Sequence, residues 1–163
     1  MEIDEDLRTE LQSLWMKAAK SQHVASVIFE LGFFDDAANR AYYAMFNAIT
    51  LLNALHDCNQ GSGHKEVLTA FNREFVLNGS FPKTFGKMLS DLYSLRQKAD
   101  YDHLQNVGPE GSKRCVENTD NFLNEVKEHV DSLSPGLLLS RAAVLEQHAL
   151  QTKALGQKGR AEN

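Results

Sequence analysis

Asn39-Arg40-Ala41-Tyr42-Tyr43-Ala44-Met45-Phe46 and Leu92-Tyr93-Ser94-Leu95-Arg96-Gln97-Lys98-Ala99-Asp100-Tyr101 are the two stretches whose reading decides the fold. Neither alternates apolar and polar residues as a half-buried strand does. In the first, Tyr42, Met45 and Phe46 continue to Ile49 and Leu52 along one helical face. In the second, Phe85, Met88, Leu92, Leu95 and Ala99 recur at alternating spacings of three and four, the seam of a helix packed nearly parallel to a neighbour. Each stretch therefore sets an arginine and a tyrosine on a helix with an apolar back.

The same period continues on both sides. Leu7, Leu11, Leu14, Ala18, Ala25 and Ile28 predict a first helix from about Asp4 to Leu31, ended by Gly32, and Asp35 is placed to cap the next. His56 to Gly63 is loop by composition. A shorter helix with His64, Val67 or Leu68, Phe71 and Phe75 on its apolar side stops near Asn78-Gly79, and Phe81-Pro82 reads as a turn. Pro109 suits the first turn of a further helix, striped by Val116, Thr119, Phe122 or Leu123, Val126, Val130 and Leu133. After Ser134-Pro135-Gly136, Leu137 to about Leu150 reads as one more amphipathic helix, and Gly156 onward as a disordered tail. The expected fold is all-α, a bundle of four long helices plus one or two shorter ones. Residues 1–133 form the helical domain and 134–163 the appended helix and tail. The apolar residues after Pro135 would be exposed on an isolated helix, so they are expected to pack on the bundle or on another subunit.

Composition narrows the function. A length of 163 residues fits one domain. A net charge of -5 and a pI of about 5.7 provide no general basic field, so any RNA contact must come from a local patch or an oligomeric cleft. Cys58 and Cys115 form no Cys-x-x-Cys pair and read as free thiols of a reducing cytoplasm. The acidic start, Met1 to Asp6, is unlike a signal peptide, and no run reaches the ~18 apolar residues of a membrane span. A cytoplasmic protein without membrane contact is expected. Neither His103 nor His129 has the glutamate three residues before it that di-iron bundles need, no His-x-x-x-His pair occurs, and glycine-rich nucleotide motifs are missing, so neither metal nor cofactor is expected.

The chemistry sits in the two opening stretches. On a helix, Arg96, Asp100 and His103 stand at i, i+4 and i+7 and share one face, while Leu92, Leu95 and Ala99 turn inward. A guanidinium can hold a phosphate, and an imidazole near neutral pKa can move a proton to or from a ribose oxygen. The same spacing also describes the exposed Arg-Asp pairs that decorate solvated helices. Arg40, Tyr43 and Asn47 share a face distinct from that of Tyr42, Met45 and Phe46. If the two helices are neighbours, Arg40 and Arg96 converge on one anion; alternatively Arg40 pairs with Asp36 or Asp100 and locks the bundle.

Arg-Ala-Tyr-Tyr-Ala-Met-Phe at 40–46 and Arg-Gln-Lys-Ala-Asp-Tyr at 96–101, with Phe71, Phe75, Val76 and Gly79 between them, resemble the HEPN family of small prokaryotic helical proteins, over roughly residues 10–130. The resemblance implies a dimer in a prokaryotic toxin-antitoxin or defence system, with one of two jobs. The first is a metal-independent endoribonuclease, whose family motif is an arginine, four to six residues and a histidine; Arg96 and His103 enclose six. Arg96 would then bind the scissile phosphate, His103 act as general acid or base, and Asp100 orient one of them. The second is a non-catalytic nucleotide-binding or partner-binding subunit of a minimal nucleotidyltransferase. There Arg40, Tyr43 and Asn47 would hold a phosphate and Tyr101 accept the nucleotidyl group. Relatives with such a partner often read arginine, four residues, histidine, one residue, tyrosine. Here Tyr101 and His103 have changed places, and both roles stay open.

Overall fold

The computed structural model of the chain describes residues 3–58, 63–101 and 107–161, the side chains of 96–101 and 154–161 excepted. Among the described residues six α-helices follow one another: α1 (Glu5–Glu30), α2 (Phe34–Leu55), α3 (His64–Phe71), α4 (Lys83–Tyr101), α5 (Gly108–Leu133) and α6 (Arg141–Ala161). No strand occurs among the described residues, and the expected all-α bundle is what forms. No helix among them is long and apolar enough to cross a membrane.

α1 begins where its sequence provides a cap. The Asp4 carboxylate accepts the Leu7 N–H at 2.8 Å, and Glu5 and Asp6 lie in the first turn, where the helix dipole favours negative charge. It ends in a Schellman turn. Phe33 N–H donates to Ile28 O at 3.0 Å and Gly32 N–H to Phe29 O at 2.9 Å, with Gly32 at φ 84°, a conformation that favours glycine. So tight a turn leaves only Phe33 before α2. Asp35 therefore lies inside the first turn of α2 instead of capping it, and its carboxylate accepts the Val107 N–H at 2.7 Å.

α2 is the central helix, packed against α1, α3, α4 and α5. Ala37, Ala41, Ala44 and Ala48 of α2 and Ala18 and Ala25 of α1 are fully buried, and such small side chains let helix axes approach closely. Trp15, Tyr42, Met45, Ile49 and Leu52 fill the volume around them. Two of the buried polar side chains cross between helices. Gln22 Nε2 donates to Val116 O at 2.9 Å, joining α1 to α5, and Asn53 Nδ2 donates to Val67 O at 3.1 Å, joining α2 to α3.

α3 does not run as one regular helix to Phe75. It passes into a π-helical turn, Asn72–Val76, in which Leu77 N–H donates to Asn72 O at 2.9 Å. The wide turn stacks Phe71 on Phe75 at 5.5 Å and directs both rings toward Phe81, with Phe122 edge-on to Phe71 at 5.7 Å. Such ring pairs contribute ~0.5–1.5 kcal/mol each beyond their buried area. Gly86 lets α4 lie against this turn, since a Cβ there would stand 2.6 Å from Asn72 Oδ1.

The segment after Pro135 packs on the bundle. Leu137 and Leu138 are buried, but they form a strap and not the start of a helix. The strap's carbonyls are taken by side chains of α1: Gln12 Nε2 donates to Leu137 O at 3.1 Å and Trp15 Nε1 to Leu139 O at 2.8 Å. Helix α6 therefore starts only at Arg141, where Ser140 Oγ accepts the Ala143 N–H. Val144 is buried, and Arg141 bonds Asp120 and Asn124 of α5. The helix runs on to Ala161, through the stretch from Gly156 that composition reads as a tail.

Candidate functional site

The first motif folds into a helix with two characters. Tyr42 and Met45 are buried and Phe46 half-buried toward the bundle; on the adjoining face Arg40 is exposed and Tyr43 and Asn47 are half-buried. Among the described residues no ion pair involves Arg40, so its guanidinium is not locked to Asp36. Asn47 Nδ2 donates to Tyr43 O at 2.7 Å, which ties the amide to its own helix.

Beside this face an aromatic cluster joins three elements. The Tyr42 hydroxyl is 2.7 Å from Nδ1 of His64, the first residue of α3, and the imidazole stacks on Phe46 with centroids 4.2 Å apart and planes at 18°. Tyr43 meets Tyr42 edge-on at 5.6 Å, and Tyr93 of α4 lies 6.4 Å from Tyr42. Sequence periodicity assigns Tyr42 to the core and His64 to the apolar side of a short helix. It carries no sign of their bond, because the partners are 22 residues apart across a loop.

α4 runs antiparallel to α2 here. Tyr93 is level with Tyr42, and beyond the end of α4 the chain returns to the start of α2 at the Val107–Asp35 bond. Arg96, one turn past Tyr93, belongs to the part of α4 between these two anchors, the span in which α2 carries Arg40. The side chains of Arg96, Asp100 and Tyr101, and all of His103, lie outside the described residues. So do the strip they form in sequence and any pairing of Arg40 with Asp100.

Between α4 and α5 lies a cleft of about 320 Å³, lined among others by Lys87, Asp91, Leu92, Leu95, Arg114 and Cys115. Burial pushes the Cys115 thiol up to about 11, with Arg114 opposing and Asp91 reinforcing the shift. Burial raises Cys58 as well. Neither cysteine is prepared as a thiolate nucleophile. At the opposite end of α2, Nε2 of His56 stands 2.9 Å from Nε2 of His129 on α5, with Phe75 and Phe81 against the pair. Desolvation lowers both imidazoles, and His56 lowers His129 further. These partners are 73 residues apart, and no local pattern joins them. Among the described residues no group of three or more His, Cys, Asp or Glu side chains is placed to hold a metal ion.

Comparison with known proteins agrees with this architecture. Residues 11–129 match the model of the HEPN domain family. Two proteins of Methanocaldococcus jannaschii, named Putative toxin MJ0605 and Putative toxin MJ0142, are each 29% identical to this chain. The first aligns over 135 residues, 83% of this chain and 94% of the relative, and the second over 125 residues, 77% and 84%. A Thermotoga maritima protein named UPF0332 protein is 34% identical over 97 residues, 60% of this chain and 73% of that protein.

Proposed function

This chain belongs to the HEPN domain family, and on that footing we propose that it is a cytoplasmic toxin-like protein of a prokaryotic toxin-antitoxin or defence system, a metal-independent endoribonuclease acting as a dimer. The names of the two archaeal relatives support the toxin reading. The observation that carries the site is Arg40: exposed, outside every ion pair among the described residues, and on the turns of α2 that α4 passes with Arg96. A lone exposed arginine beside a second one suits a phosphate, which takes bidentate charge-assisted hydrogen bonds. Arg96 binds and polarises the scissile phosphate, His103 serves as general acid or base, and Asp100 orients one of them. Expression should arrest growth, and the Arg96→Ala variant should not. Purified protein should cleave RNA in excess EDTA; intact RNA in that assay, from folded wild-type protein, sinks the nuclease assignment.

One observation favours a second reading, a nucleotide-binding subunit of a minimal nucleotidyltransferase. The cleft between α4 and α5, about 320 Å³, is at the small end of the range for ligand pockets and sets Lys87 and Arg114 beside apolar Leu92 and Leu95. The residues expected to hold phosphate in that role, Arg40, Tyr43 and Asn47, belong to α2 and lie outside the lining of this cleft, where the cations are Lys87 and Arg114; Tyr101 accepts the nucleotidyl group. Calorimetric titration with ATP, repeated on Arg114→Ala, tests it. The absence of binding to wild-type protein removes this reading.

A further inference from the structure

Helices α2 and α4 carry the same pair of residues in opposite chain directions. Tyr43 follows Arg40 by three residues on α2, and Tyr93 precedes Arg96 by three on α4. Tyr93 stands level with Tyr42, and α4 runs back toward the start of α2. The two arginine positions therefore fall on one level of the bundle and the two tyrosines on the next, one helical turn or ~4.5 Å away. The nuclease roles of Arg96, Asp100 and His103 leave the tyrosine level unused. That level is a braced aromatic floor. Buried Tyr42 bonds His64 at 2.7 Å, its ring lies within 12° of parallel to the imidazole, and the imidazole stacks on Phe46. Tyr43 stands edge-on to both Tyr42 and His64, with planes at 72° and 77°. Tyr43 and Tyr93 are only half-buried, so each keeps part of its surface exposed beside this sealed centre.

We infer that Tyr43, with Tyr93 beside it, is the platform on which an unpaired base of the RNA stacks while Arg40 holds an adjoining phosphate. The inference rests on the nuclease reading above and states how its RNA is bound. A phosphate and the base of the same nucleotide are separated by one ribose, a reach comparable with the one turn between the arginine and tyrosine levels. A base inside a duplex has both faces covered by its neighbours, so only a single-stranded base can take this seat. The contact uses the face of the base and not its edge, which makes it tolerant of sequence. It also suits the charge of the chain. At a net charge of -5 there is no broad basic field, and an aromatic face adds affinity that does not depend on one. Because Tyr42, His64 and Phe46 already brace the floor, little ordering of the protein is left for the moment of binding.

The test is an anisotropy titration with an end-labelled single-stranded 2′-O-methyl RNA hexamer, which has no free 2′-hydroxyl for cleavage, and with versions made abasic at each position in turn. Wild type should bind the intact hexamer about 5- to 150-fold more tightly than the version abasic at the seat, the range of one stacked base. The same hexamer in a duplex should bind more weakly. Tyr43→Leu, with unchanged circular dichroism, should lose the preference for the base, and Tyr43→Phe should keep it. Equal binding of the intact and all abasic hexamers, or of duplex and single strand, overturns the platform. So does a preference for the base that survives in both Tyr43→Leu and Tyr93→Leu. A loss in Tyr43→Phe as large as in Tyr43→Leu assigns the contact to the hydroxyl and overturns stacking. If Tyr43→Leu fails to fold, the abasic series on wild type and the Tyr43→Phe variant still decide. Wild type that cleaves RNA in EDTA but shows no dependence on the base removes the platform and leaves the nuclease reading standing. Folded wild type that neither binds nor cleaves RNA removes both.

Discussion

The hydroxyl of Tyr42, a residue only 1% exposed, stands 2.7 Å from Nδ1 of His64 and ties the start of α3 to the centre of α2. Phe46 holds the other side of the imidazole, so the hydroxyl and the stacked ring act together. A bond of this kind contributes about 1 kcal/mol. Tyr42→Phe should therefore lower the urea midpoint without changing the slope. In a cycle with His64→Ala the two changes should be coupled by at least ~0.5 kcal/mol. Strict additivity would show that the contact carries no energy.

Arg40 separates a ligand role from a structural one. It is exposed and makes no ion pair among the described residues. Arg40→Ala should leave stability within ~0.5 kcal/mol of wild type. Its affinity for a short RNA or a nucleotide should fall about tenfold or more, since a charge-assisted bond contributes ~1.5–3 kcal/mol and 1.4 kcal/mol is a factor of ten. A melting temperature lowered by several degrees with unchanged affinity would assign Arg40 to the scaffold.

The His56–His129 pair makes stability depend on pH. Burial lowers both imidazoles below the ordinary 6.5. Above pH ~6.5 both are neutral in folded and unfolded chain alike, and they add no dependence. As pH falls through that value the unfolded chain takes up protons that the folded pair resists, so stability is lost from about 6.5 downward, through the folded pKa values. One imidazole must accept the proton that the other donates, and two imidazolium groups at 2.9 Å cannot do so. The melting temperature should fall between pH 7 and 5, and His129→Gln should flatten that part of the profile. An identical slope in the variant would exclude the pair as its source.

Trp15 anchors the C-terminal strap. Its Nε1 donates to Leu139 O at 2.8 Å while the ring fills the core beneath α6. Trp15→Phe keeps most of the ring and removes the donor. The expected loss is ~1–3 kcal/mol for the orphaned carbonyl and the space left. Limited proteolysis should then cut first between residues 135 and 140, with the rest of the bundle intact; uniform digestion would show that the strap is not a separate latch.

Which features the sequence reveals follows from their range. Apolar periodicity locates α1, α2, α4 and α5 because each buries a stripe defined by its own residues, such as Leu11, Ala18 and Ala25 or Val116, Phe122 and Val126. Pro109 marks the start of α5 for the same local reason. The π-helical turn at Asn72–Val76 escapes such reading, since it answers to the packing of Phe71 and Phe75 on Phe81 and Phe122 and not to local propensity. The strap at Leu137 escapes it too, because Gln12 and Trp15 claim its carbonyls from 124 or 125 residues away. At the site, the separate face of Arg40, Tyr43 and Asn47 is legible on one helix. The bonds of Tyr42 to His64 and of His56 to His129 exist only once distant helices meet.

Tyr101 and His103 decide between the two proposed activities, because they offer different chemistry beside the same arginine. A nuclease needs a group that exchanges a proton near neutrality, which an imidazole does and a phenol of pKa ~10 does not. A nucleotidyl acceptor needs an oxygen that attacks the α-phosphate of ATP, expelling pyrophosphate and giving its proton to solvent, and only the phenol supplies that oxygen. Under the nuclease reading His103→Ala should lower RNA cleavage by ~10²-fold or more, the usual contribution of a positioned acid or base, while Tyr101→Phe keeps most of it. Cleavage should be indifferent to EDTA. Under the subunit reading Tyr101→Phe should abolish labelling from α-labelled ATP by a cognate nucleotidyltransferase, and His103→Ala should leave labelling intact. Two folded variants that alter neither reaction would return this strip to a solvated helix face.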